Sequence, residues 1–377
     1  MRIVVKIGTS LVTDESHRLN LSFLRGFVEQ VSALHAARNQ IVIVSSGAVA
    51  AGRGEFKVKR EKRTIPFRQA LAAVGQGAIM QIYREMFAHR GVAVAQALLT
   101  NYDFTNRENF LNAKNVFDLL LAAGAIPVVN ENDVTTVAEL KFGDNDMLSA
   151  KTAAMVGADF LCILTDVDGL FSQDPKKNPE KARLINIVQK INESVRALAG
   201  GAASKHSLGG MVTKLEAAHY AVSAGISVFI ASGHRPGALS EIADFFKNRE
   251  ARTQAGRLPS ATFFPAYGAR MNSQKKWLKP KIQKNAWIEV DEGAAKALTS
   301  MGKSLLSSGI TKVSGGFKRG DVVVVRSGGR EIGYGQINYA SEDLDKIKRH
   351  KSGEIERILG FSFEEEAMHR DRMVITG

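Results

Sequence analysis

A lysine inside an apolar strand is destabilising unless an anion stands beside it, and residues 2–7 read RIVVKI. Gly8 follows directly and lets the backbone approach a ligand closely, at the end of a parallel strand where open α/β sheets place their sites. The alternative is that Lys6 lies at a strand end and extends its ammonium to water. A second run, QIVIVSSGAVAAG (40–52), passes from β-branched residues into Ser45, Ser46 and Gly47. If these open a helix, its first N–H groups and its dipole make a seat for a carboxylate or phosphate. An ordinary serine cap is the competing explanation.

The densest polar stretch is AIPVVNENDVTTVAELKFGDNDMLSA (125–150), where a buried strand runs into Asn130, Glu131, Asn132 and Asp133. A loop then leads to Gly143, Asp144, Asn145 and Asp146, which open a helix. Asp144 or its neighbour can cap that helix, whereas Asp133 and Asn145 suit the ammonium and carboxylate of an amino acid. Further on, Thr165 and Asp166 end a strand and enter a turn rich in aspartate and glycine, a pattern also common on plain surfaces. Finally SLGGMVTK (207–214) sets Gly209, Gly210 and Met211 before a helix that carries Lys214 near its start. Flexible backbone and a lysine at a helix start are a phosphate-binding arrangement.

The elements that must position these residues alternate. RIVVKI (2–7), QIVIV (40–44), VAVAQAL (92–98), AIPVVN (125–130), FLCILT (160–165) and ISVFIA (226–231) read as strands, several apolar throughout as strands covered on both faces should be. Between them, 19–36, 66–89, 107–122, 145–156 and 211–224 carry helical apolar spacing. This predicts an α/β fold, a mainly parallel sheet sandwiched by helices, over residues 1–265. A lysine- and proline-bearing connector (266–284) leads to glycine-punctuated short strands such as AWIEV and GDVVVVRSGGREIGYGQI, a smaller β-rich domain over 285–377.

Composition narrows the classes. At 377 residues, 45% apolar, the chain can bury a large core. It begins without a signal-peptide pattern and has no apolar run of membrane-spanning length, so a cytoplasmic location and no membrane partner are expected. The single cysteine, Cys162, lies in an apolar run and excludes a disulfide or a cysteine metal cluster. A net charge of +13 raises the question of nucleic acid, but from residue 285 onward basic and acidic side chains are equal in number. The connector stretch KKWLKPKIQK holds five lysines, and a second basic run extends from Arg53 to Arg68. Such a run is either a solvated loop or an attractor of anionic substrates. No P-loop is present: Gly302 to Ser304 lacks its first glycine, and Gly75 with Gly77 lacks the dinucleotide fingerprint.

Taken in order, KIGTS, SSGA, NENDVTTVAELKFGDND, LTDVDGL and GGMVTK resemble the amino acid kinase family, and within it the glutamate 5-kinases. WIEVDEGAAKAL, KVSGGFKRGDVV and HRDRMV resemble the PUA domain that many of those enzymes carry. The resemblance implies ATP-dependent phosphorylation of the L-glutamate side-chain carboxylate, the first step of proline biosynthesis. By residue, it implies that Lys6 and Lys214 neutralise the transferring phosphoryl group and that Asp146 holds them. Ser46, Asp133 and Asn145 would bind glutamate. Gly8, Thr165, Asp166, Gly209, Gly210 and Met211 would line the nucleotide site together with the two lysines, and Mg²⁺ would bridge the ATP phosphates. The family usually has Gly-Thr before Gly-Gly-Met, where this chain has Ser207 and Leu208. Proline as a feedback inhibitor, glutamyl phosphate reductase as a functional partner and a homo-oligomer (dimer or tetramer) are further implications. The competing readings are a kinase for aspartate or N-acetylglutamate, and, less favoured, an RNA-binding PUA protein whose kinase part is regulatory.

Overall fold

The computed structural model describes residues 1–14, 18–56, 64–136, 145–175, 177–199, 210–249, 258–267 and 282–376. The chain divides into two compact units, Met1–Ala269 and Arg270–Gly377.

The first unit is built on a seven-stranded sheet: β1 (Arg2–Ile7), β2 (Gln40–Val44), β3 (Val94–Leu99), β4 (Ile126–Glu131), β5 (Phe160–Thr165), β6 (Ser227–Ser232) and β7 (Ala261–Phe264). Their spatial order is β3-β4-β2-β1-β5-β6-β7. All neighbours pair in parallel except β7, which runs antiparallel to β6. The central strand β1 is flanked by β2 on one side and β5 on the other, so chain direction across the sheet reverses there and a crevice opens at the strands' carboxyl ends.

The helices are α1 (Thr9–Val12), α2 (Leu21–Ala36), α3 (Ala48–Phe56), α4 (Ile65–Ala88), α5 (Asn101–Thr105), α6 (Arg107–Ala122), α7 (Asn145–Val156), α8 (Glu193–Leu198), α9 (Met211–Ser223) and α10 (Ala238–Lys247). Strand alternation sorts the core into two layers. Ile3, Val5 and Ile7 of β1 pack with apolar residues of α2, α4 and α10. Val4 faces the opposite layer, built from α6, α7 and α9. The strands and long helices expected from periodicity are present with ends moved by one or two residues; β7 and α10 were not among them, although α10 has buried apolar residues at helical spacing, Leu239, Ile242 and Ala243. Strand β7 is only four residues long, and its place is set by pairing with β6 rather than by local preference.

Two α-helices cross at contact distance through glycine. A Cβ on Gly52 of α3 would stand 1.9 Å from the Leu71 carbonyl oxygen, and one on Gly75 of α4 would stand 1.9 Å from that of Ala48. Gly75 is therefore a packing residue, which explains a glycine inside a helical pattern.

The second unit has a five-stranded sheet of order β12-β11-β10-β8-β9, with β8 (Ile282–Val290), β9 (Ile310–Ser314), β10 (Val322–Ser327), β11 (Arg330–Gln336) and β12 (Met373–Ile375). Ile288, Val323, Val325, Ile337 and Leu344 belong to its own core.

Candidate active site

Alternation along β1 places Lys6 on the same face as Val4, the side covered by α7 and α9. Its side chain does not reach water: Lys6 is 1% exposed, and its Nζ lies 2.6 Å from Asp146 Oδ1. Asp146 stands in the first turn of α7, where the helix dipole favours an anion. Lys214, the fourth residue of α9, brings its Nζ within 3.3 Å of Asp146 Oδ2. Thr213 Oγ1 lies 2.9 Å from that same carboxylate oxygen. Burial opposes ionisation of Asp146, but Lys6 and Lys214 outweigh it and hold the carboxyl below the usual range. One carboxylate is thus shared between two ammoniums brought together from positions 6 and 214.

On one side of this clamp is a cavity of about 310 Å³, lined by Thr165, Asp166, Gly210, Met211 and Lys214 among others. Helix α9 begins at this cavity, and its N-cap, Gly210, supplies no side-chain cap, leaving the helix start suited to an anion. Gly8 borders the same clamp. Its φ of −76° is open to any residue, and a Cβ there would meet only ordinary contacts, one of them Lys6 Nζ at 3.8 Å. Among the described residues no close contact demands glycine at position 8, and a Cβ there would narrow the space in front of the lysine ammonium. Gly209, Ser207 and Leu208 lie outside the described residues, as does Asp144.

On the other side is a cavity of about 240 Å³ whose lining includes Ser46, Asp133 and Asn145. Asn145 Nδ2 donates to the Ser45 carbonyl at 2.7 Å, to Ser46 Oγ at 3.0 Å and to Asn130 Oδ1 at 2.9 Å. The first backbone bond of α3 ends on the Gly47 carbonyl, so Gly47 rather than a serine takes the cap position. Its φ of +100° requires glycine, and so does Val12, whose side chain lies 2.7 Å from where a Cβ on Gly47 would stand. Ser45 Oγ instead meets the buried hydroxyl of Tyr83 at 3.0 Å, tying the strand end to α4.

Arg53 and Arg68 also line this second cavity, together with Thr9 and Asn130. Neither arginine stood out from the basic run between them, whose residues 57–63 lie outside the described part. Only the close crossing of α3 and α4 brings both to one place. Among the described residues, no group of three or more His, Cys, Asp or Glu is placed to hold a metal ion, and Cys162 is buried with its thiol pKa pushed up by burial.

The amino acid kinase family profile matches residues 1–232, more than half of the chain. The chain belongs to the amino acid kinase family. In this amino acid kinase, residues 286–359 match the PUA domain. It is 42% identical over 376 residues to the glutamate 5-kinase of Caldanaerobacter subterraneus subsp. tengcongensis, covering 100% of this chain and 98% of the relative. The glutamate 5-kinase of Geobacter sulfurreducens is 42% identical over 375 residues, covering 99% and 97%. Among solved structures, carbamate kinase from Giardia lamblia bound to AMP-PNP aligns at 17% identity with a TM-score of 0.48, covering 71% of this chain and 98% of that one.

Proposed function

We propose that this amino acid kinase transfers the terminal phosphoryl group of ATP to the side-chain carboxylate of L-glutamate. The observation that carries the reading is the placement of two cavities on either side of one buried Lys6–Asp146–Lys214 clamp. Full-length identity to glutamate 5-kinases supports glutamate as the acceptor and the proline route as its setting. ATP occupies the cavity of Thr165, Asp166 and Met211, with its phosphates toward Gly8, Gly210 and the lysines. Glutamate occupies the cavity of Ser46, Asp133 and Asn145, with Arg53 and Arg68 adding positive charge for its carboxylates.

A glutamate side chain, with a pKa of about 4.3, is ionised at neutral pH and attacks without a general base. A carboxylate oxygen forms a bond to the γ-phosphorus while the bond from that phosphorus to the β,γ-bridging oxygen breaks, and ADP leaves with the electron pair. The obstacle is repulsion between two anions. Lys6 and Lys214 meet it by following negative charge through the transition state, and Asp146 keeps both in position. Mg²⁺, in this reading, arrives with ATP and supplies further charge neutralisation on the phosphates.

The division into a catalytic part (1–265), a connector (266–284) and a C-terminal PUA part (285–377) belongs to the same proposal, as does a cytoplasmic location. Among the described residues no helix is long and apolar enough to cross a membrane. The test is incubation with ATP, Mg²⁺ and hydroxylamine, offering L-glutamate, L-aspartate or N-acetyl-L-glutamate in turn. Hydroxamate and ADP should form with L-glutamate; formation with another acceptor and not with glutamate would reassign the substrate.

A further inference from the structure

Gln76 of α4 is buried, 8% exposed, and does not line the acceptor cavity. It is nevertheless joined to that cavity by a chain of side-chain amides whose directions are fixed by backbone groups. The Ser45 carbonyl can only accept, so the atom of Asn145 lying 2.7 Å from it is the amide nitrogen. The Glu131 N–H can only donate, so the atom of Asn130 lying 2.9 Å from it is the carbonyl oxygen. That oxygen also accepts from Asn145 Nδ2. The Asn130 amide nitrogen must then face outward, and it donates to Gln76 Oε1 at 2.9 Å. Gln76 Nε2 in turn donates to Gln96 Oε1 at 3.3 Å.

This ordering has a chemical result. With the two protons of its NH₂ shared among Ser45, Ser46 and Asn130, Asn145 offers a ligand its carbonyl oxygen, an acceptor suited to an ammonium group. Ser46 Oγ accepts from Asn145 and lines the cavity, so its own proton is available to a carboxylate there. We propose that Gln76 is a positioning residue that holds Asn130, and through it Asn145, in place beside the cavity with the amide polarity the backbone sets, and thereby sustains the cavity's preference for acceptors bearing an ammonium group. The inference rests on the acceptor assignment made above.

The experiment compares L-glutamate with glutarate, the same dicarboxylate without its amine, by ADP release from the full-length chain. Gln76→Met keeps volume but removes the acceptor for Asn130; Gln76→Asn keeps the amide but is too short to reach; Gln76→Glu restores an acceptor while Gln96 turns its amide to donate. The glutamate-to-glutarate ratio of kcat/KM should fall at least about tenfold in the Met and Asn variants, through the glutamate KM, with the KM for ATP unchanged. The Glu variant should keep the ratio within about threefold of wild type. Should Gln76→Met fail to fold, the Asn and Glu variants carry the comparison. A folded Met or Asn variant with the wild-type ratio, or an equal loss on both acceptors, overturns the inference alone. Wild-type protein inactive on L-glutamate overturns the acceptor assignment and this inference with it.

Discussion

The two sides of the site hold charged ligands by different means. On the donor side, formal charges do the holding: two ammoniums surround one fully buried carboxylate. On the acceptor side, the buried groups named above are mostly amides and hydroxyls whose direction is set by backbone carbonyls and N–H groups. Charges act over several ångströms and tolerate small displacements, whereas an amide works at contact and in one orientation. The donor side should therefore fail when charge is altered at constant shape, and the acceptor side when spacing is altered at constant charge.

Asp146→Asn makes the first kind of change. It keeps the side-chain outline and leaves two buried ammoniums without their carboxylate, a loss of about 3–5 kcal/mol in stability and about 10³-fold in kcat/KM. Lys6→Ala and Lys214→Ala, each removing one positive charge from the transition state, should lower kcat at least about 10²-fold with the fold retained. Steady-state kinetics and urea titration of the three variants measure both effects. Near-normal turnover in either lysine variant would mean that the clamp is structural and that the donor side does not work by charge.

How far these features could be read beforehand follows from where their causes lie. Lys6 was conspicuous because one lysine in an apolar strand breaks a local rule, and the order of strands and helices was legible because each long element has its own period. Asp133, Ser46 and Asn145 were singled out and do share a cavity, as do Thr165, Asp166, Gly210, Met211 and Lys214. The pairing of Lys6 with Asp146 is a contact between β1 and the first turn of α7, far apart in sequence, that no local pattern encodes; the family resemblance supplied it. The run from Arg53 to Arg68 read either as a solvated loop or as an attractor of anionic substrates, with nothing to mark its two ends, and no pattern marked Gln76. Their positions depend on the crossing of two helices, which is a tertiary fact.

That crossing can be broken without touching a charge. Gly75→Ala drives a methyl group to 1.9 Å from the Ala48 carbonyl oxygen and 2.3 Å from the Gly52 nitrogen. Alanine is a better helix former by about 1 kcal/mol, but overpacking of about 1–3 kcal/mol or more outweighs it, so the variant should be less stable. Because Gln76 is the next residue, the KM for glutamate should rise several-fold while that for ATP stays near wild type. Gly77 provides the control two positions along the same helix: it is exposed, and a Cβ there would meet nothing within 4 Å, so Gly77→Ala should stabilise by up to about 1 kcal/mol and leave both KM values alone. Thermal unfolding and initial-rate kinetics on the pair decide the matter, and equal behaviour of the two variants would remove the crossing as the source of acceptor-side geometry.

The smallest change sharpens the donor side. Burial raises the Asp146 pKa, the two lysines more than reverse that effect, and the hydrogen bond from Thr213 adds a last push downward. Since the native value lies below that of the unfolded chain, roughly 3.9, the unfolded state binds more protons in the acid range and stability rises with pH there. The contribution is complete above about pH 4–5 and is lost as pH falls toward the native pKa. Thr213→Val removes the hydroxyl at nearly constant shape, raises the native pKa and so shrinks this contribution. At neutral pH the variant should be less stable by about 1–2 kcal/mol, and the gap from wild type should narrow as urea titrations are carried below about pH 4. The same hydroxyl lies 2.8 Å from the Gly210 carbonyl. A gap that stays constant on acidification would therefore assign it to that carbonyl, a neutral partner indifferent to pH, and leave the two lysines as the whole cause of the Asp146 shift.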